Sequence, residues 1–197
     1  MPSSGTDQKS ASARRTRLRA EVQTLTLRDG SSVVIRALAA GDEAGIASWF
    51  TSRFAGLGAE TLYARLFALF AWLDRLKVSA PEGADEAARE PIVAFAPDGV
   101  GVGIAWWVPG TRRATAEVVV AVVETWEGRG VATALLDQVA TRARSLGIKQ
   151  LTARCPAGSM TLIRLLSRLG STAVVPSSVG LVDVRVDLAR RAAPTRS

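Results

Sequence analysis

Between Ala116 and Leu136 three kinds of sequence follow one another without interruption: an apolar β-branched run, a polar bend with two glycines, and a helix-forming segment. Val118 to Val123 is five valines and one alanine, the length and composition of a buried strand, because a branched Cβ fits a pleated surface. Gly128 and Gly130 then let the backbone turn tightly and approach a ligand with no Cβ in the way. Val131, Leu135, Val139, Ala143 and Leu146 recur at near-helical spacing. A strand that feeds a helix through such a bend leaves backbone N–H groups unpaired at the helix start, where they can receive a phosphate. Glu117 stands at the beginning of the run. A carboxylate is seldom tolerated in a strand buried on both faces, so Glu117 either reaches solvent at the end of the sheet or is held there for chemistry.

The rest of the chain bounds what this unit can serve. Its 197 residues, 48% apolar and 22% charged, fit one globular domain with tails. The absence of His removes the commonest metal ligand and the commonest acid or base, so no metal is expected. Proton transfer then falls to a carboxylate, the Tyr, the Cys or water. A single cysteine, Cys155, excludes an internal disulfide and fits a reducing cytoplasm. The net charge of +7 lies entirely in the two ends. Lys9, Arg14, Arg15, Arg17 and Arg19 oppose Asp7, and Arg185, Arg190, Arg191 and Arg196 oppose Asp187. The body is neutral, so the basic ends are read as solvated tails at 1–20 and 189–197 rather than a nucleic-acid surface. Met1 to Ala20 lacks the apolar core of a signal peptide, and a cytoplasmic location is expected.

Along the body, 21–38 reads as a hairpin turning at Asp29 and Gly30. Helices are expected after Asp42 and from about Ala59 to Leu76, the second apolar nearly all round but too short to span a bilayer. Val78 to Arg89 is a loop. Pro91–Ala96 and Val100–Val108 form two strands about a Pro97-Asp98-Gly99 turn. Gly99, Gly101 and Gly103 mark the turn and a close backbone approach rather than a nucleotide loop, since no helix follows. Of Trp106 and Trp107, on opposite faces, one is expected in the core and the other beside an acceptor site. A strand at Gln150–Arg154, a helix at Ser159–Leu169 and a closing hairpin at Thr172–Val175 and Leu181–Leu188 complete a mixed α/β order.

Glu127, Gly128, Arg129, Gly130, Val131 and Ala132 resemble the acyl-CoA pyrophosphate loop of the GNAT (Gcn5-related) N-acetyltransferases. That loop runs Gln or Arg, two variable residues, Gly, one variable, then Gly or Ala. Glu127 departs from it in the Gln/Arg slot. The order of elements over 21–188 is similar to the GNAT fold, an α/β domain whose mixed, largely antiparallel sheet is flanked by helices and splayed beside the strand 117–123. Ser159 to Gly170 looks like the last functional helix of the family, with Ser159 in its Asn slot, Leu166 in the slot of a general-acid Tyr and Ser171 in an aromatic slot. Gly56–Phe67 and Ala116–Gly130 look like a bacterial branch that acetylates protein lysines, in which a Glu ten residues before the Gln/Arg slot is the general base.

The resemblance implies an acetyl-CoA-dependent N-acetyltransferase acting on a primary amine, with a protein lysine favoured as acceptor over a small amine. An amine near pKa 10 must lose a proton before it attacks a thioester, and Glu117 fits the base. The thioester is then expected near Ala121, Val122 and Val123, where a backbone N–H steadies the oxyanion. The pyrophosphate is expected on the N–H groups of Gly128, Arg129, Gly130, Ala132 and Thr133, within a cofactor site that includes Val131 and Ser159. Glu127 either repels the phosphates or turns away to pair with Arg129. Against catalysis, Glu117 is an edge carboxylate paired with Arg112 or Arg113, and the chain is a GNAT-like module that binds CoA or a partner protein without turnover. Membrane association and nucleic-acid binding are not expected, and no motif sets the oligomeric state.

Overall fold

The computed structural model describes residues 22–38, 42, 91–178 and 180–189. The two expected helices before residue 77, the loop at 78–89 and nearly all of both basic tails lie outside the described residues. Eight strands form one sheet: β1 (Gln23–Thr26), β2 (Ser32–Ala37), β3 (Ile92–Phe95), β4 (Gly101–Pro109), β5 (Thr115–Val122), β6 (Gln150–Pro156), β7 (Ser171–Ser178) and β8 (Leu181–Asp187). Among the described residues two helices join them, α1 (Val131–Ser145) between β5 and β6 and α2 (Met160–Ser167) between β6 and β7. The spatial order is β1-β2-β3-β4-β5-β6-β8-β7.

Chain connection dictates strand direction. β1 to β5 are linked without a described helix between β1 and β2 or between β3, β4 and β5, and each neighbouring pair among them is antiparallel. β5 and β6 are joined through α1 and are parallel, as a helical crossover requires. After α2 the chain skips one position, lays down β7 at the edge, and returns as β8 in the gap, antiparallel to both β6 and β7.

Both helices lie on one face, where α1 packs across β3, β4 and β5 and α2 against β7 and β8. The close approach is at Gly103 of β4, where an added Cβ would stand 3.0 Å from both Leu135 and Val131. Val131, Leu135, Leu136, Val139, Ala140 and Ala143 of α1 are buried there with Leu151, Ala153, Val184 and Val186 of the sheet. At the far end Arg144 ties the layers together, donating to the Leu169 carbonyl at 2.7 Å and the Leu188 carbonyl at 3.2 Å. The opposite face is also apolar in its central part, with Val93, Ile104 and Trp106 buried. Trp106 and Trp107 are therefore both in the core, at 4% and 6% exposure. Both faces of β4 are covered, Trp107 lying on the α1 face with Gly103 and Trp106 on the face it shares with Val119 and Glu117.

Candidate active site

The sheet opens at Glu117. Pairing between β5 and β6 runs Thr115 with Gln150, Ala116 with Leu151 and Glu117 with Thr152, and stops. Beyond it β5 stays paired with β4 as far as Val122, and β6 stays paired with β8 as far as Pro156. The two strands diverge into a fork with Glu117 at its vertex, and among the described residues no strand pairs with the far edge of β5 beyond it. Such an edge can pair with an extended ligand as a strand would.

Backbone direction decides which amides face the fork. The Val123 N–H donates to the Val102 carbonyl at 2.9 Å, so in the β4–β5 register the odd-numbered residues direct their backbone groups to β4. Val120 and Val122 present theirs to the opening. Of the three residues expected beside a thioester, Val122 alone offers its N–H to the fork. Ala121 and Val123 turn theirs into the sheet.

Glu117 is exposed and its side chain lies on the face away from α1 and α2, shared with Thr152, Arg154 and Asp183. Among the described residues it forms no ion pair with Arg112 or Arg113. Its charged neighbour is Arg154, whose Nε and Nη2 donate to the two carboxylate oxygens of Asp183 at 2.8 and 3.3 Å. Asp183 holds the guanidinium above its ordinary pKa, mainly through that hydrogen bond, and the Glu117 charge adds the smallest contribution. The same bond keeps the Asp183 carboxyl below the usual range. Asp183 thus favours the charged pair at neutral pH, an effect lost as acid protonates it below about pH 4.

At the other end of β5 the chain makes a short 3-10 turn, Glu124–Trp126, and enters α1 through Gly128 and Gly130 at φ of 73° and 110°. Only glycine adopts the second value without strain. Gly130 is the residue before the first helical turn and no side chain caps it. The amides of Gly128 to Thr133 meet no described acceptor, and the helix dipole adds to their pull on an anion. Arg129 does not pair with Glu127. Its guanidinium meets Asp29 at 3.0 Å and lies over the Trp126 ring, 4.9 Å from the centroid, while Glu124 and Glu127 are exposed. The hairpin turn at Asp29 was legible as a turn but not as a partner of this loop, because nothing local links residues a hundred positions apart.

Residues 45–170, more than half of the chain, match the model of the Acetyltransferase (GNAT) family. The chain belongs to the GNAT acetyltransferase family. The chemistry of that family is acetyl transfer from acetyl-CoA to an amine. The fold agrees: the GNAT domain of S. lividans PAT is 21% identical at a TM-score of 0.60, over 87% of this chain and 98% of that one. yncA from Salmonella typhimurium, solved with its cofactor acetyl-CoA, is 20% identical at 0.55, over 84% and 99%. A ribosomal-protein-alanine N-acetyltransferase from Brucella melitensis is 23% identical at 0.54, over 78% and 99%. At these identities the likeness is one of fold. No curated protein matches the chain in sequence.

In this GNAT chain the last helix departs from its expected role. Leu166, in the slot of a general-acid Tyr, is fully buried, so α2 brings no proton donor to the fork there. Ser159 precedes α2, near the Cys155 thiol. Cys155 lies with Leu151 and Ala153 on the helix-covered face, at 4% exposure, opposite to Glu117. Burial pushes its thiol up, partly opposed by the Ser159 hydroxyl. A protonated, enclosed thiol is a poor nucleophile. Iodoacetamide at neutral pH is therefore expected to alkylate the native protein at least about tenfold more slowly than the unfolded chain, as read by mass spectrometry; equal rates would show that the thiol reaches solvent. No helix among the described residues is long and apolar enough to cross a membrane.

Proposed function

We propose that the chain acetylates a primary amine by direct transfer from acetyl-CoA, with Glu117 as general base, and that the acceptor is a protein lysine. The observation that carries the reading is the fork. It opens immediately after Glu117, and five residues of strand, Val118 to Val122, about 17 Å at roughly 3.3 Å each, followed by the Glu124–Trp126 turn, separate that carboxylate from the glycine bend. A pantetheine arm laid along β5 between them, with the diphosphate on the amides of Gly128 to Thr133, brings its thioester toward the vertex. There the Val122 or Val120 N–H is available to the tetrahedral oxyanion. The acceptor ammonium gives one proton to Glu117, directly or through water; the free amine attacks the thioester carbon, and the tetrahedral intermediate loses its second nitrogen proton to water as the C–S bond breaks. With Leu166 in the core, the departing thiolate takes its proton from water, which a thiol pKa near 8.5 permits.

The lysine acceptor rests on the resemblance at Gly56–Phe67 and on the ten-residue spacing from Glu117 to Glu127. The test is release of free CoA thiol from acetyl-CoA in the presence of a lysine-rich peptide, compared with a panel of small amines. Faster turnover with the peptide is expected. Turnover with the small amines alone reassigns the acceptor, and acetyl-CoA binding without thiol release from any acceptor leaves a module that binds CoA without turnover.

The exposed carboxylate of Glu127 is the unfavourable charge at the cradle. Arg129 is occupied by Asp29, and among the described residues no ion pair offsets the Glu127 charge. Glu127→Gln is expected to lower the Kd for acetyl-CoA about two- to threefold at low salt, measured by calorimetry. An unchanged or higher Kd would show that its side chain does not sense the phosphates.

A further inference from the structure

A loop that offers backbone N–H groups to an anion binds poorly if those groups wander, because ordering them subtracts from the binding free energy. Two glycines at positive φ make the loop before α1 soft by composition. It is held from outside. Arg129, between the glycines, is fastened at three points: its carbonyl accepts the Arg28 N–H at 3.3 Å, its guanidinium meets Asp29 Oδ2 at 3.0 Å, and the same guanidinium covers the Trp126 ring. Asp29 is itself fixed through its other oxygen. Oδ1 accepts the Ser31 N–H at 3.0 Å and the Ser31 hydroxyl at 2.5 Å. One carboxylate oxygen therefore serves the β1–β2 turn and the other serves the loop.

We propose that Asp29 is a positioning residue for acetyl-CoA, and that the β1–β2 turn is a latch holding the amides of Gly128 to Thr133 in the arrangement that receives the diphosphate. The proposal rests on the reading that the diphosphate binds at that loop. It differs in sign from a simple charge argument, in which removing a carboxylate near phosphates tightens binding. Physiological ionic strength favours the test, because the screening length of about 8 Å weakens the charge effect, while a contact ion pair and the loop geometry it maintains persist.

Asp29→Asn separates the two oxygens, since it keeps a carbonyl for Ser31 and removes the charge that holds Arg129. At physiological salt it is expected to raise the Kd and the KM for acetyl-CoA about two- to fivefold, with kcat and the acceptor KM unaltered. Ser31→Ala loosens the turn but spares the ion pair, and is expected to leave the acetyl-CoA Kd at the wild-type value. Asp29→Glu recovers part of the affinity. In an Arg129→Met background, Asp29→Asn has no additional effect. An Asp29→Asn protein that binds acetyl-CoA as well as wild type or better, or that loses kcat with KM unchanged, overturns the latch, as does an equal loss from Ser31→Ala. A wild-type protein that binds no acetyl-CoA removes the cradle reading and the latch together, whereas normal wild-type binding beside an unaffected Asp29→Asn removes the latch alone.

Discussion

Glu117→Gln is expected to lower kcat at neutral pH by about two to four orders of magnitude, the usual range for loss of a general base, while the Kd for acetyl-CoA stays at its wild-type value. Glutamine preserves the size and polarity of the side chain at the fork vertex but cannot accept a proton. A diphosphate held at Gly128 to Thr133, beyond the end of β5 and the turn after it, is not expected to sense the change. The deficit has a pH signature. A lysine acceptor with a pKa near 10.4 loses its own proton as pH rises, so the variant should approach the wild-type rate toward pH 10, provided that both remain folded. Single-turnover rates across pH 7 to 10, a window set by the acceptor's titration, measure this. Equal rates at neutral pH would remove Glu117 from the mechanism, and a raised acetyl-CoA Kd would place it in cofactor binding instead.

Gly103→Val is expected to destabilise the packing of α1 on the sheet. A Cβ at this position stands 3.0 Å from Leu135 Cδ1 and Val131 Cγ1 and 3.3 Å from the Ala121 carbonyl oxygen, and valine adds two methyl groups to that. Overpacking of this kind costs about 1–3 kcal/mol, equivalent to a fall of roughly 2–12 °C in Tm for a chain of this size. Function is affected by the same displacement. Val131 is the first residue of α1, so pushing it off β4 moves the amides of the cradle, and acetyl-CoA affinity is expected to fall with stability. Thermal denaturation and calorimetry on the same preparation check both. A Tm within about 1 °C of wild type would show that α1 shifts to make room at little cost.

The parts of this molecule that are local in sequence are legible in the sequence alone. The run Val118–Val123, the glycines after it and the apolar spacing of α1 are each set by neighbours within a few residues, and β5, the bend and α1 appear in that order. The D-G turn at Asp29 and Gly30 likewise predicts the hairpin of β1 and β2. What depends on register across the sheet was not legible from pattern. Nothing in TAEVVVAV states that pairing with β6 ends at Glu117; only the family resemblance located a splay there. The burial of both Trp106 and Trp107 follows from cover on two faces of β4, which alternation along one strand cannot reveal. Sequence proximity offers Glu127 as a partner for the Arg129 side chain, whereas Asp29 reaches it across the end of the sheet.

The account turns on where acetyl-CoA lies. A crystal structure of the protein with acetyl-CoA bound tests it most directly. The predicted result has the diphosphate on the N–H groups of Gly128 to Thr133, the pantetheine arm hydrogen-bonded along the open edge of β5 at Val120 and Val122, and the acetyl carbonyl at the fork within reach of Glu117 through an acceptor or one water. A cofactor whose diphosphate avoids that loop, or whose thioester lies on the face of Cys155 rather than that of Glu117, would contradict it.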